Sequence, residues 1–270
     1  ADALLSSMIP GGGPLFAGLL GSLPDSHQHH LQSRAFHYVW PSKGKIMRLY
    51  YHPASTTSRM VQLFALDQGI DLDYKVVDLF TGEHLKPEFA RINPNCLVPV
   101  LEDGDFRLTE SSAILKYLAD KAGSPAYPKD LKARARVNEM MDWFNANLYR
   151  DLGYGLIYSQ VFPNHKRPSE VVQAGTVAWG KQKAQVWLKI LDEQLLGPKK
   201  PYLCGDKITL ADYFGAEIVA VGELIRCRYS AYPNVERWLG RMKGLKSWAK
   251  VHEIGDGFAA SIKDTPFVTI

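Results

Sequence analysis

Cysteine is scarce in this chain: three in 270 residues (Cys96, Cys204 and Cys227), widely spaced and without a CxxC pair. That argues against a zinc site or a disulfide framework and points to a reducing compartment, so a cytoplasmic protein is expected. No apolar run is long enough to span a membrane, and no membrane partner is expected. Charge of one sign is also in short supply. Lys and Arg total 32 against 28 Asp and Glu, a formal charge of +4, and no basic run is long enough for a nucleic-acid footprint. No Lys or Arg precedes Arg34, so the basic start of a secretory signal or an Arg-rich transit peptide is missing. Internal repeats are absent as well.

What remains is the composition of an ordinary globular protein, 46% hydrophobic and 22% charged, with length enough for one large domain or two modest ones. Residues 1–46 stand apart. Gly11-Gly-Gly-Pro14, Gly18, Gly21 and Pro24 break any helix there, and His27, His29, His30 and His37 are half of the eight histidines. The expectation is a poorly ordered extension whose histidines are solvated and bind no metal, with Met47 a candidate start of the folded part.

From Met47 the pattern alternates. Met47–Tyr51 reads as a strand, Ser58–Gln68 as a helix ending at Gly69, and Leu72–Asp78 as a β-rich second strand. Phe80–Arg91 reads as a loop with one short helix. Val98–Leu101 and Phe106–Leu108 flank the turn signal Glu102-Asp-Gly-Asp105 and predict a hairpin. Ser111–Lys121 is a helix with Ile114, Tyr117 and Leu118 on one face. This order predicts a mixed four-stranded sheet covered by helices over residues 47–122. Residues 131–253 then turn all-helical, with helices at Ala133–Arg150, Ser169–Leu196, Leu210–Arg226, Asn234–Lys243 and Leu245–His252, and residues 254–270 form a tail without usable signal. Thr209-Leu-Ala-Asp212 is a capping-box variant, flanked by Ile208 and Tyr213 as its hydrophobic staple, and is structural.

Three segments carry chemistry. In Leu49-Tyr-Tyr-His-Pro-Ala-Ser-Thr-Thr-Ser-Arg59 a strand stops at Pro53 and a hydroxyl-rich turn opens a helix. Unpaired N–H groups and the positive end of the dipole favour an anion there, although Ser and Thr are also ordinary caps. The other two are Asn93-Pro-Asn-Cys-Leu-Val-Pro-Val100 and Thr109-Glu-Ser-Ser-Ala-Ile114.

Together with Thr81-Gly-Glu-His-Leu-Lys-Pro-Glu-Phe89 and Ile208-Thr-Leu-Ala-Asp212, these segments resemble, in order and spacing, the cytosolic glutathione transferases, theta-like class. The resemblance covers Met47 to about His252. It implies a thioredoxin-like α/β domain joined to an all-α domain, a homodimer, and glutathione as co-substrate with a small electrophile, with no metal or other cofactor.

The resemblance also assigns roles. Ser55 follows His-Pro-Ala where theta-like enzymes place their catalytic serine, with Thr56 and Ser58 as competitors after a one-residue slip. A thiol has a pKa near ~8.5, and lowering it by about two units takes roughly 2.7 kcal/mol of preference for the anion. One hydroxyl donating to the sulfur supplies about 1.5–3 kcal/mol and a helix N-terminus about 0.3–1 more, so one positioned serine suffices. Arg59 is expected to brace the site or the domain contact. Val98, before the Pro99 expected to be cis, is the implied backbone clamp on the cysteinyl unit. Ser111 and Glu110 are the implied grip on a free amino-acid end, and His84 the contact to the glycyl carboxylate. Theta-like sequences often carry Lys where Leu97 stands, which removes a cation here, and an Arg where Tyr149 aligns. Cys96 lies beside the clamp without an expected redox role.

The second substrate is expected between the domains, against Tyr149, Tyr154 and Tyr158, in a region also rich in Trp143, Phe144 and Phe162. Dehalogenation or isomerisation that regenerates glutathione is the alternative within enzymes. A non-catalytic glutathione- or ligand-binding protein of the same fold is the alternative outside them.

Overall fold

Alternation of apolar residues in Met47–Tyr51 buries Met47 and Leu49 and makes this strand, β1, the second of a four-stranded sheet. The computed structural model describes residues 46–270; the histidine-bearing segment lies outside the described residues. The sheet order is β2-β1-β3-β4, with β2 at Leu72–Val76, β3 at Val100–Asp103 and β4 at Phe106–Leu108. β2 runs parallel to β1, while β3 and β4 are antiparallel to their neighbours. The hairpin turn is Gly104-Asp105, and β3 begins at Val100 rather than Val98, because Val98 and Pro99 belong to the preceding loop.

Helix α1, Thr56–Asp67, crosses from β1 to β2 and begins two residues earlier than the pattern suggested, because Ser55 caps it. The loop after β2 holds a 3-10 turn at Glu83–Leu85 and the short α2, Pro87–Ala90. Helix α3, Ser111–Ala122, completes the α/β domain.

The helical domain opens with α4, Leu131–Trp143, which continues without a break through a π-wound stretch, Phe144–Tyr158, into α5, Ser159–Val161. The expected end at Arg150 is therefore eleven residues short, since no Pro or capping glycine interrupts the chain before Pro163. Helix α6, Glu170–Ile190, adds a π turn to Leu196; α7, Leu210–Ala220, adds a 3-10 turn to Ile225; α8 spans Pro233–Lys243. Helix α9, Trp248–Ser261, runs nine residues past the expected His252, despite Gly255 and Gly257 inside it.

One hydrophobic core runs through both domains, from Leu49, Phe64 and Leu101 to Phe144, Tyr213 and Trp238. Its seam is α1 against α7, where Phe64 meets Tyr213 edge to face and the Tyr213 hydroxyl donates to Asp67. The Thr209/Asp212 capping box is present at the start of α7. Buried Asp212 also accepts from Leu203 N–H and Trp238 Nε1, and burial pushes its carboxyl upward despite these bonds. This seam joins apolar packing to polar bonds between the two domains beneath the cleft. No helix among the described residues is long and apolar enough to cross a membrane.

Candidate active site

The N-terminus of α1 sorts its hydroxyls into two pairs. Ser55 is the cap, in extended conformation, accepting from the Ser58 N–H at 3.4 Å. Ser55 and Thr57 are half-buried, and their hydroxyls lie 3.1 Å apart at the edge of a cavity of about 230 Å³ between the domains. Thr56 and Ser58 are buried: Thr56 Oγ1 accepts from the Tyr158 hydroxyl at 2.9 Å, and Ser58 Oγ accepts from the His52 N–H at 3.4 Å. Of the three serine and threonine candidates, Ser55 is thus the one left without a bond into the core.

Arg59, one turn further, leaves the cleft. Its Nε donates to Glu217 Oε2 on α7 at 3.0 Å and its NH1 to the Ala54 carbonyl at 3.3 Å. It braces the active-site turn against the helical domain. Glu217 has no exposed surface, and His252 Nε2 of α9 lies 3.2 Å from the same oxygen. Burial pushes the Glu217 carboxyl upward, but Arg59 and His252 outweigh it and hold it below the usual range. Gly255 fits closely beside this cluster: a Cβ there would come within 2.7 Å of the Arg59 guanidinium, which would have to shift. Arg59 therefore seats α9 over the cleft as well as α7 beneath it.

The loop before β3 forms the facing edge. The Val98–Pro99 peptide is cis. The Val98 carbonyl is not vacant: the Thr57 hydroxyl donates to it at 3.1 Å. Beyond Thr57 a second cavity, about 150 Å³, is lined by Val98, Pro99, Glu110 and Ser111. Ser111 opens α3, so its hydroxyl and the first N–H groups of that helix stand at this cavity. Glu110 precedes it with φ of 65°, a conformation rare outside glycine and concentrated at functional sites. Thr57, Leu97, Val98, Tyr149 and Tyr154 line both cavities, which makes them parts of one cleft. His84 lies at its other end, and its Nδ1 is buried without a hydrogen-bond partner.

The helical wall is aromatic. Tyr149 and Tyr154, five residues apart, would diverge by about 140° on a regular α-helix. The π winding brings their rings to 5.2 Å. Gly153 makes room, since a Cβ there would lie 2.6 Å from the Tyr149 ring. The hydroxyls of Tyr149 and Tyr158 are 2.9 Å apart and lead to Thr56. Burial raises all three tyrosines (149, 154 and 158), so they stay protonated at neutral pH. Tyr154 remains 43% exposed at the mouth. Arg150 is exposed and bonded to Asp151, while Phe144 is core and Trp143 packs against it and Trp187.

Several residues of this wall were not anticipated. Phe258 of α9 stacks on Phe162 at 5.9 Å and meets Phe80 of the α/β domain at 5.7 Å, so three rings close the cleft. Phe80 in turn meets His52 edge to face at 5.0 Å. His165 packs on Tyr154 and Tyr158. Burial lowers both His52 and His165, the latter helped by Arg167. Cys96 touches the same cavity, with its Sγ directed to the Pro94 carbonyl at 3.8 Å. No Lys or Arg lines either cavity among the described residues, nor does any group of three or more His, Cys, Asp or Glu there suit a metal ion.

Such a cleft offers hydroxyls and helix N-termini on one side and an apolar wall with polar tips on the other. Two family models match the chain: the glutathione S-transferase N-terminal domain over residues 54–121 and the C-terminal domain over residues 166–245. The chain is similar to human glutathione S-transferase theta-1, 36% identical over 219 residues, 77% of this chain and 88% of that protein. To human glutathione S-transferase theta-2 it is 38% identical over 208 residues, 74% and 81% of the two chains. The crystal structure of human glutathione transferase theta-2 in complex with glutathione and an unknown ligand matches the fold with a TM-score of 0.70. That match has 32% identity and covers 83% of this chain and 93% of that one.

Proposed function

The chain belongs to the cytosolic glutathione transferases as a theta-like member, and from that premise we propose that Ser55 is the group that holds glutathione as its thiolate. The observation that carries this reading is the division of the turn: Thr56 and Ser58 are buried and bonded inward, while Ser55 is half-buried at the cavity edge and heads α1. The tyrosine hydroxyls are poorer candidates, because Tyr149 and Tyr158 are tied to each other and to Thr56.

Glutathione lies along the cleft in this reading. Its free amino-acid end meets Ser111, the α3 N-terminus and Glu110, its cysteinyl unit meets the Val98 backbone beside Pro99, and its glycyl carboxylate meets His84. The thiol proton leaves to solvent, the sulfur accepts the Ser55 O–H, and the thiolate attacks an electrophilic carbon. A C–S bond forms as the leaving group departs with its electron pair, or as a polarised double bond takes that pair. The electrophile is small and apolar, held against Tyr154, Tyr158, Phe162 and Phe258, and the shared cleft supplies proximity. Glutathione is a co-substrate, and no cofactor is called for. The active species is a homodimer by analogy with the family; light scattering that gives a concentration-independent monomer would remove that part.

Steady-state turnover with glutathione and a panel of alkyl and aryl halides tests the whole. Conjugate formation that saturates in both substrates is expected. Halide release with glutathione recovered would assign dehalogenation instead, and tight glutathione binding without turnover on any electrophile would make this a binding protein.

A further inference from the structure

Thr57 is the one hydroxyl of the turn that joins the two halves of the peptide site. It lines both cavities, sits 3.1 Å from Ser55 Oγ, and donates to the Val98 carbonyl at 3.1 Å. A hydroxyl has one proton to give and two lone pairs to receive. With the Thr57 proton on Val98, the Ser55–Thr57 bond is made only if Ser55 donates. The Ser55 proton is then directed at Thr57, and its oxygen receives the Ser58 N–H. In this arrangement the hydroxyl assigned to the sulfur is already spent.

Resting on the assignment of Ser55 above, we propose that Thr57 is a positioning residue that couples docking of the cysteinyl unit at Val98 to the direction of the Ser55 hydroxyl. When a peptide N–H pairs with the Val98 carbonyl, that acceptor no longer depends on Thr57. The Thr57 O–H rotates to Ser55, whose oxygen then accepts from both Thr57 and the Ser58 N–H and whose proton is released toward the cleft. The Ser55–Thr57 and Ser58 N–H bonds are both kept, and only the Ser55–Thr57 bond reverses its direction. A doubly supported Ser55 is also a stronger donor, because hydrogen bonds in a chain polarise one another. No covalent bond changes, and no proton leaves its oxygen.

The test is the pH titration of the ultraviolet absorbance of bound glutathione thiolate in wild type, Ser55→Ala, Thr57→Val, Thr57→Ser and the Ser55→Ala/Thr57→Val double variant. Loss of the Thr57 hydroxyl should raise the bound thiol pKa by about half a unit, a roughly threefold loss of thiolate below the pKa. Thr57→Ser should restore the wild-type value, and the double variant should match Ser55→Ala alone, because Thr57 acts through Ser55. An unchanged pKa in Thr57→Val overturns the inference, as does a shift of equal size in the Ser55→Ala background or a failure of Thr57→Ser to restore it. Thr57→Ala takes the place of the valine variant in the same cycle if the β-branched side chain prevents folding. If Ser55→Ala leaves the thiol pKa unmoved, the Ser55 assignment falls and this inference with it. If Ser55→Ala raises the pKa and Thr57→Val does not, only the inference falls.

Discussion

Ser55, Val98, Glu110 and Ser111 line one side of the cleft, and Tyr149, Tyr154, Tyr158, Phe162 and Phe258 line the other. The first set stands on backbone junctions of the α/β domain: a helix cap, a cis-proline loop, and a residue with positive φ leading into α3. Each presents a polar side chain or main-chain groups at a junction between elements, where the chain path places it. The second set consists of large rings held by one another, edge to face or stacked, from a π-wound helix, a loop and the last helix. The polar side is fixed by topology and the aromatic side by packing. In the proposed reading, activation of the thiol therefore falls to the part of the fold least able to change, and selectivity toward the electrophile to the part most easily repacked.

The pair that holds the two sides together is the place to break that comparison outright. Removing one partner of a buried ion pair costs about 3–5 kcal/mol. Glu217→Ala should lose stability in that range by urea denaturation, with activity lost alongside as α7 and α9 release Arg59. Because the Glu217 pKa is lowered in the folded state, its contribution is present above its unfolded pKa of about 4.3 and is lost as pH falls through the folded value.

Ser55→Ala should separate chemistry from packing. A hydroxyl–thiolate bond of about 1.5–3 kcal/mol corresponds to a fall in kcat/KM of roughly 10- to 150-fold, with the melting temperature and the KM for the electrophile little changed. Phe258→Ala should do the opposite. Losing ring contacts worth about 0.5–1.5 kcal/mol should raise KM for an aromatic electrophile roughly 2- to 12-fold and leave the bound thiol pKa alone. An equal change in glutathione KM would show that the sides are not separable.

Leu97→Lys should sharpen the polar side by supplying the missing cation at the glycyl end. An exposed ion pair of about 0.2–1 kcal/mol predicts a roughly 1.5- to 5-fold lower KM for glutathione, shrinking as salt rises. The smallest effect concerns His52 and His165. Both are lowered, so the unfolded chain binds more protons than the folded one just below its pKa of about 6.5. Their share of stability is full above that pH and falls as the medium is acidified toward the folded values. A His52→Asn/His165→Asn variant should show a shallower drop in melting temperature from pH 7 to 5.5.

The same contrast explains what the sequence disclosed. The polar side was legible because its residues sit in short contiguous motifs that resemble those of a known family in order and spacing. Ser55, Val98 and Glu110 could be named without coordinates. Thr57 could not be singled out among four successive hydroxyls, because the choice depends on which of them meets Val98 and which meets Tyr158 across the domain boundary. Tyr149 and Tyr154 were found as aromatics, but a spacing of five argues against a shared face until the π winding is known. Phe80 and Phe258 carried no signal at all. One lies in a loop and the other in a glycine-interrupted helix, and they become neighbours only through the tertiary fold. The α/β elements were read to within two residues at most ends, whereas the helix expected to end at Arg150 runs on through a π-wound stretch to Val161.

The central claim, that one serine on the topologically fixed side makes the thiolate, is tested most directly by titrating enzyme-bound glutathione in wild type and Ser55→Ala. A bound thiol pKa well below that of free glutathione, raised by about 1–2 units on substitution, is the predicted result. A wild-type value equal to that of free glutathione, or a lowered value that survives the loss of Ser55, would contradict it.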